Sequence, residues 1–364
     1  MKNSLKVGAV AAAAALALAG CGSAPSQSGE SSASGTESGG GAAAGGTIKA
    51  CMVSDMGGFE DKSFNESGKD GMEKAKDELG VEVAYAESQS DSDYASNIQN
   101  MVQGNCDVII GVGFLMADAL DQAALANPDI KFALVDSTFE TPADNTKALV
   151  FNTAEAAYLA GYASAGLTST GKVGTFLGGQ IPSTAIFADG FSDGIAKYNE
   201  DNGTSVQLLG WDKEKQTGMA TGDFDDVSKG KQFSEQLIQQ GADIIMPVAG
   251  PVGAGTLAAA KEAGNVNVVW VDSDGYLTNP DYGSIIITSV MKEIGQSVFD
   301  TVKQVQDGAW TSEDYVGTLA NGGVGIAPFH DWDSKVSSEL KSKLEDLQKQ
   351  IADGSLVIET TNQP

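Results

Sequence analysis

Short apolar runs alternate with helical stretches along most of this chain, and this alternation restricts the possible folds more than any other feature. The apolar runs are rich in Val and Ile and lack an inside–outside alternation, as in DVIIGV at 107–112. Strands of that kind are buried on both faces, which is typical of parallel sheets covered by helices. The pattern therefore predicts an α/β fold with parallel sheets.

The boundaries of these elements can be predicted from the same pattern. Strands are expected at 48–54, 82–86, 107–112, 131–135, 148–152, 172–177, 206–210, 243–248, 267–271 and 284–289. Helices are expected at 63–79, 93–103, 116–126, 154–167, 184–201, 228–240, 251–263 and 291–307. Asp93 is the expected N-cap of the second helix, because its side chain can accept hydrogen bonds from free amides of the first turn.

Two segments of equal length repeat one pattern. Residues 107–136 and 243–272 each run from Asp to Asp through an apolar run, a Gly-containing turn, an Ala-rich helix and a strand that ends in Val-Asp. The repeat favours two similar lobes that arose by duplication, although two generic strand–helix–strand units would also show it. It predicts that Asp136 and Asp272 stand at equivalent strand ends.

The length of the chain supports two lobes. About 318 residues follow position 46, which is more than one simple core usually organises. We expect an N-terminal lobe of residues 47–153 plus 274–310 and a C-terminal lobe of residues 154–273 plus 311–355.

The first 46 residues have a different character. A lysine-bearing start precedes an apolar run over 7–18, and two small residues stand directly before Cys21, which is the pattern of a secretory signal. The sequence LAGC around Cys21 resembles the lipobox of bacterial lipoproteins. The resemblance implies that residues 1–20 are a signal peptide and that Cys21 carries acyl chains, palmitate among them; an ordinary signal with an incidental cysteine is the alternative. Residues 21–46 are rich in Ser, Gly and Ala and predict a flexible tether.

The charge of the chain excludes some partners. Its formal net charge is −27 and its 22 basic residues are all lysines, which argues against nucleic acids and anionic lipid headgroups. Because guanidinium groups are the usual bidentate ligands of carboxylates and phosphates, the lack of arginine favours a neutral ligand rich in hydroxyl or amide groups. The alternative is that the lineage avoids arginine and uses lysine instead.

The cysteines and the histidine leave little room for a metal site. Cys51 and Cys106 are available for a disulfide, which the extracytoplasmic compartment allows, or for two buried thiols. A zinc site is not expected, since His330 is the single histidine and no CxxC pair exists. We therefore expect no metal and no cofactor.

The segments that follow the predicted strands are candidates for a binding site, because ligands of open α/β sheets lie beyond the carboxyl ends of the strands. Glycines, acids, amides and aromatic residues are concentrated in these segments, at 54–65, 111–114, 178–180, 249–253 and 272–275. Such residues bring backbone donors, hydrogen-bond acceptors and flat apolar faces to a ligand. They contain no nucleophile paired with a base, and their glycines do not match the phosphate-binding motifs.

The first of these segments contains a family signature. DMGGFEDKSFN at 55–65 closely resembles the DxGGxxDxSFN motif of the basic membrane protein family, whose members are lipoprotein receptors that bind purine nucleosides for ABC importers. Further matching stretches are AIFADGFSDG at 185–194, GDFDDVSKGK at 222–231, VAGPVGAG at 248–255, VDSDG at 271–275 and TSVMK at 288–292. The resemblance covers about 48 to 330. It implies two Rossmann-like lobes with parallel sheets, joined by hinge crossovers, as in type I periplasmic binding proteins.

The resemblance also implies which residues bind the base. Asp55 would accept hydrogen bonds from nitrogens of the purine, and Asn65 belongs to the same motif. Phe64 would stack on one face of the base, and either Phe187 or Phe224 would stack on the other. The alternatives are a capping role for Asp55 and core positions for the three aromatic residues.

Three further residues are assigned to the ribose by the same resemblance. Gly250 would bring its backbone to the sugar, Asp274 would accept hydrogen bonds from ribose hydroxyls, and Lys292 would donate to ribose oxygens. Asp272 is expected to be structural, given its twin at Asp136. Lys292 could instead be a solvated helix residue.

These inferences together predict a lipid-anchored, extracytoplasmic and monomeric receptor, not an enzyme. It would close around a purine nucleoside like a hinged clamp and deliver it to an ABC permease that is driven by a separate ATPase. A receptor of the same fold for a free sugar or a signalling molecule is the alternative. A nucleoside hydrolase is a third and weaker hypothesis, since it would need a held water and usually a metal.

Overall fold

The structure is a computed structural model that describes residues 47–364. The predicted signal peptide, the lipid attachment at Cys21 and the tether lie outside the described residues. In the described part, no helix has both the length and the apolar character needed to cross a membrane.

The first lobe is built on a six-stranded parallel sheet with the strand order β13-β5-β4-β3-β1-β2. Its elements up to the first crossover are β1 (Lys49–Ser54), α1 (Phe64–Leu79), β2 (Glu82–Ala86), α2 (Tyr94–Gln103), β3 (Val108–Val112), α3 (Ala117–Ala126), β4 (Lys131–Val135) and β5 (Thr146–Phe151). The central strands β1 and β3 are buried along their whole length or nearly so, as their uninterrupted apolar sequences require.

The second lobe has a second six-stranded sheet with the order β14-β12-β11-β10-β6-β7, in which only β14 is antiparallel. The elements that follow β5 are α4 (Thr153–Leu167), β6 (Lys172–Leu177), α5 (Pro182–Asn202), β7 (Gln207–Leu209), β8 (Trp211–Asp212), β9 (Thr217–Gly218), α6 (Val227–Gln239), β10 (Ile244–Val248), α7 (Ala254–Ala263), β11 (Asn267–Asp272), α8 (Gly275–Thr278), β12 (Ile286–Lys292), α9 (Ile294–Gln306), β13 (Tyr315–Gly317), β14 (Val324–Ile326) and α10 (Ser338–Ala352).

The chain passes three times between the lobes. The passages lie at Asn152, at Glu293 and over 318–323, between β13 and β14. Backbone hydrogen bonds join them, because the Asn152 amide donates to the Gly317 carbonyl at 2.8 Å and the Glu293 amide donates to the Gly323 carbonyl at 2.9 Å. The predicted architecture of two parallel α/β lobes joined by hinge crossovers is confirmed.

The predicted lobe boundaries need a correction. Strand β12 pairs with β11, so residues 274–292 belong to the second lobe and the chain returns to the first lobe only at Glu293. Strand β13 pairs with β5 and therefore belongs to the first lobe, although it lies within the segment 311–355 that was expected in the second. Both errors concern strand pairing, which an apolar pattern does not specify.

The predicted repeat forms two equivalent units. Residues 107–136 fold as β3-α3-β4 and residues 243–272 as β10-α7-β11. Asp136 directly follows β4 and Asp272 is the last residue of β11, and both have a positive φ, of 62° and 68°. The two aspartates therefore stand at equivalent strand ends, as predicted.

Two smaller expectations are also decided. Cys51, in β1, forms a disulfide with Cys106, which lies two residues before β3. Asp93 occupies the N-cap position of α2 but makes no capping bond, because its carboxylate accepts from the Gln89 amide and the Ser90 hydroxyl instead. A short 3₁₀ turn before the helix already contains Asp93, so its backbone does not adopt the extended shape of a cap.

Candidate ligand-binding site

A cleft lies between the two lobes, at the carboxyl ends of strands from both sheets. It contains about 540 Å³ of empty space, part of which is open to solvent. The residues expected at the site that line this cleft are Asp55, Phe64, Asn65, Phe187, Phe224, Gly250 and Lys292.

A polar cluster occupies the first-lobe wall of the cleft. Asp61 accepts hydrogen bonds from the backbone amides of Ser63, Asn65 and Glu66, at 2.8–3.0 Å, and so caps α1. The Asn65 side-chain amide then donates to Asp55 Oδ1 at 2.8 Å. The capping role that was an alternative for Asp55 thus falls to Asp61, which leaves Asp55 available to the cleft.

An unpartnered oxygen in this cluster favours a ligand with a hydrogen-bond donor. Asn65 Oδ1 is buried and has no hydrogen-bond partner among residues 47–364, which is costly unless a ligand supplies a donor. Burial raises the pKa of the Asp55 carboxyl to about 8, and the hydrogen bond from Asn65 only partly opposes this shift. Gly113 has a φ of 120°, and any Cβ there would clash with Asp55 Oδ2, so this glycine makes room for the carboxyl.

Three phenylalanine rings give the cleft its flat apolar surface. Phe64 is the first residue of α1, and Phe187 lies on α5 and is 1% exposed. Phe224 lies directly against Gly178 and Gly179, which follow β6, and a side chain at either glycine would displace the ring. Rings fixed in this way offer stacking surfaces to a planar ligand.

A buried charged triad also lines the cleft. Lys292, at the end of β12, has a side chain that is 3% exposed, and its Nζ lies 2.5 Å from Asp136 Oδ2 and 3.0 Å from Asp272 Oδ1. The same Nζ is 4.7 Å from the centre of the Phe64 ring and 5.2 Å from that of Phe187. Burial lowers the pKa of the Lys292 ammonium, but the two carboxylates outweigh it and hold this pKa above its usual value. The triad therefore contains one cation and two acids.

Several contacts join the lobes across the cleft. The bond from Lys292 to Asp136 links the second lobe to the first. Ser63 Oγ donates to Asp272 Oδ2 at 2.9 Å, and Ser273 Oγ donates to the Lys62 carbonyl at 3.1 Å. These contacts require the lobes to lie close together, so the structure represents a closed arrangement.

Asp274 does not lie where it was expected. Its carboxylate accepts from the Tyr276 amide at 3.1 Å, which caps α8, and lies 2.7 Å from His330 Nε2. It does not line the cleft, whereas Asp272, which was expected to be structural, does. The positive φ of Asp272 turns the chain at the end of β11, so the two acids of the DSD sequence point to different surroundings.

Sequence analysis also missed other residues of the cleft wall. Asp61 was visible inside the DMGGFEDKSFN motif, and Asp136 was visible as the twin of Asp272 in the repeat. Ile181, Ser183 and Thr184 lie at the start of α5, and no sequence signal singled them out.

Comparison with known proteins identifies the family. The model of the family described as "ABC transporter substrate-binding protein PnrA-like" matches residues 48–361. The chain belongs to this family. Members of the family are substrate-binding proteins of ABC transporters and not enzymes, and such proteins take a small-molecule ligand to a permease outside the cytoplasm.

Individual relatives agree with this assignment. The chain is 30% identical to the "ABC transporter nucleoside-binding protein BmpA" of Lactococcus lactis subsp. cremoris, over 98% of this chain and 99% of the relative. It is 31% identical to "Basic membrane protein A" of Borreliella burgdorferi, over 82% and 84%. A crystal structure of an ABC transporter solute-binding protein from Aeropyrum pernix K1 superposes with a TM-score of 0.78, at 27% identity, over 86% of this chain and 94% of the other. The resemblance to the basic membrane protein family is thus confirmed.

Proposed function

We propose that this substrate-binding protein is a receptor for purine nucleosides. The observation that carries the proposal is the combination, in one cleft, of three phenylalanine rings with the buried pair of Asp55 and Asn65. A purine has two flat faces for the rings and a nitrogen-rich edge for the polar pair. Its N–H groups would satisfy the unpartnered Asn65 Oδ1, which an apolar ligand would leave unpaired.

The charged triad of Lys292, Asp136 and Asp272 suits a sugar. Asp136 and Asp272 can accept hydrogen bonds from ribose hydroxyls, and the Lys292 ammonium can donate to a ribose oxygen. Because Lys292 is already neutralised by two carboxylates, it offers little attraction to a phosphate, and the chain contains no arginine. We therefore expect nucleosides to bind and nucleotides to be rejected.

Gly250 supports the same pose. It lines the cleft with a φ of 53°, and no atom lies within 4 Å of the position that a Cβ would take. A ligand can thus approach the backbone of this glycine directly, as the ribose contact requires.

Attachment to the membrane belongs to the proposal as well. We expect cleavage before Cys21, acylation of its thiol and delivery of the nucleoside to an ABC permease by closure of a monomer. Metabolic labelling with a palmitate analogue should mark the wild-type protein and leave Cys21→Ser unlabelled and released from the membrane. Equal labelling of both proteins would contradict the anchor.

The experiment that tests the ligand class is isothermal titration with inosine, adenosine, guanosine and free ribose. We expect each nucleoside to bind more tightly than ribose. Phe64→Ala should weaken nucleosides by about 1–3 kcal/mol for the lost stacking and leave ribose almost unchanged.

Phe233→Ala is the matched control, since Phe233 is also a half-buried helix residue but packs on Phe176, away from the cleft. It should alter neither ligand. If ribose bound more tightly than every nucleoside, the alternative of a free-sugar receptor would replace this proposal.

A further inference from the structure

A second cavity opens directly beside the nucleoside cleft. It contains about 650 Å³ of empty space, part of which is open to solvent, and it shares Phe114, Asp136 and Ser183 with the cleft. Its other walls are the end of β4, the hinge segment between β5 and α4, the start of α5 and residues 362–364. The two cavities therefore meet beside Asp136, one of the two acids of the triad.

The order of the strands gives the direction in which a ligand would extend. In the first sheet β1, β3, β4 and β5 are consecutive neighbours. Asp55 follows β1, Asp136 follows β4, and the second cavity continues to Val150 and Phe151 of β5. If the base lies at Asp55 and the ribose at Asp136, a substituent on the ribose would enter the second cavity.

The chemistry of the second cavity suits an uncharged group. Its described lining carries the hydroxyls of Ser137, Thr138 and Ser183 beside apolar side chains such as Val150 and Ile186. Asp136 is the one acidic side chain in that lining, and no lysine lines it. A phosphate would thus meet a carboxylate without a free cation, whereas a thioether, alkyl or hydroxyl group would find apolar and hydrogen-bonding partners.

One wall of the second cavity is held in place by a buried acid. Asp189, on α5, is fully buried, and its carboxylate accepts from the Trp211 indole at 2.9 Å, from Thr360 Oγ1 and from the Asn362 side-chain amide at 2.9 Å. The Asn362 amide also donates to Gln216 Oε1 at 2.7 Å. These bonds fix the segment that carries Asn362 and Gln363, so the wall is a built part of the fold.

We propose that the second cavity is a subsite for a neutral substituent on the ribose of a bound nucleoside. The inference rests on the proposed nucleoside function and extends it. The protein would accept 5′-modified nucleosides as well as simple ones and would still reject nucleotides.

Isothermal titration with adenosine, 5′-deoxy-5′-methylthioadenosine and adenosine 5′-monophosphate tests this subsite. For the wild-type protein we expect methylthioadenosine to bind within about tenfold of adenosine, since burial of the methyl group offsets the lost hydroxyl. The monophosphate should bind at least about a hundredfold more weakly, because its charge finds no cation.

Thr138 offers a variant that affects the second cavity alone, because it lines that cavity, is exposed and does not line the nucleoside cleft. Thr138→Trp should fill the space and weaken methylthioadenosine by more than about tenfold, while adenosine changes by less than about twofold. Thr138→Val is the matched control and should change neither ligand. A thermal melt confirms that each variant is folded.

The possible results separate the two proposals. If adenosine bound but methylthioadenosine were rejected by the wild type, or if Thr138→Trp left both affinities unchanged, the subsite would be refuted and the nucleoside function would stand. Tight binding of the monophosphate would refute the neutral character of the subsite. If no nucleoside bound at all, the nucleoside function itself would fail.

Discussion

Removal of the Lys292 ammonium is the perturbation whose effect can be worked out most fully. The side chains of the triad are 3%, 9% and 8% exposed for Lys292, Asp136 and Asp272, so solvent screens their interactions very little. Lys292→Met keeps most of the side-chain volume but leaves two buried carboxylates without a cation. Removing one partner of a buried ion pair typically costs about 3–5 kcal/mol, and we expect that loss in the free energy of unfolding at pH 8.

The loss should depend on pH. Without the ammonium, burial and the neighbouring Asp272 carboxylate raise the pKa of Asp136 further, so the folded variant binds a proton that the unfolded chain releases. Stability then falls as pH rises. Urea denaturation should therefore show a smaller difference from wild type at pH 5 than at pH 8.

Lys147 provides the matched control. It is also 3% exposed, but its Nζ contacts the neutral groups Gln304 Oε1, at 2.5 Å, and Thr311 Oγ1. Lys147→Met leaves no carboxylate without its hydrogen-bonded cation and should cost only about 1–2 kcal/mol. The reasoning on the triad would be refuted if the two variants lost equal stability, or if the loss in Lys292→Met were the same at pH 5 and pH 8.

Three further predictions concern other residues. Because burial raises the Asp55 pKa from 3.8 to about 8, the contribution of Asp55 to stability is complete below about pH 4 and is lost as pH rises through 8. Asp55→Asn should therefore melt at a higher temperature than wild type at pH 9, and the difference should shrink towards pH 5. Asp274→Ala should leave nucleoside affinity within about twofold and cost about 0.5–2 kcal/mol of stability for the lost cap. Asp272→Asn should weaken nucleosides at least about tenfold. A larger loss of affinity at Asp274 than at Asp272 would restore Asp274 as the ribose ligand. The disulfide of Cys51 and Cys106 closes a loop with a sequence separation of 55, so Cys51→Ala/Cys106→Ala should lose about 4 kcal/mol in denaturant, and an unchanged unfolding midpoint would show that the bond contributes nothing.

The secondary structure of both lobes could be predicted because each central strand is a continuous apolar run. The strands at 82–86, 131–135 and 172–177 were predicted with the same ends that the structure has, and each of the other predicted strands is found within about three residues of its expected ends. Strand pairing could not be predicted in the same way. Strand β12 has the same apolar character whether it lies beside β4 or beside β11, so the lobe boundary near 274 was misplaced. The short strands β13 and β14 have only three residues each and were not predicted.

The candidate site was predictable where a motif specifies both the residue and its surroundings. Asp55, Phe64 and Asn65 belong to one motif, and the structure brings all three to the cleft. Asp272 and Asp274 are separated by a single residue, and which of them lines the cleft depends on the backbone turn at Asp272. A sequence motif specifies residue types and spacing, but it does not specify the backbone conformation at Asp272.

The twin aspartates have a consequence for the symmetry of the binding protein. If the two lobes were identical, the carboxylates of Asp136 and Asp272 would face each other without a cation, and their repulsion would disfavour closure. A single lysine, supplied by only one half, resolves this conflict. The equivalence of the two repeated units therefore ends at Lys292, and a ligand with two different ends can distinguish one lobe from the other.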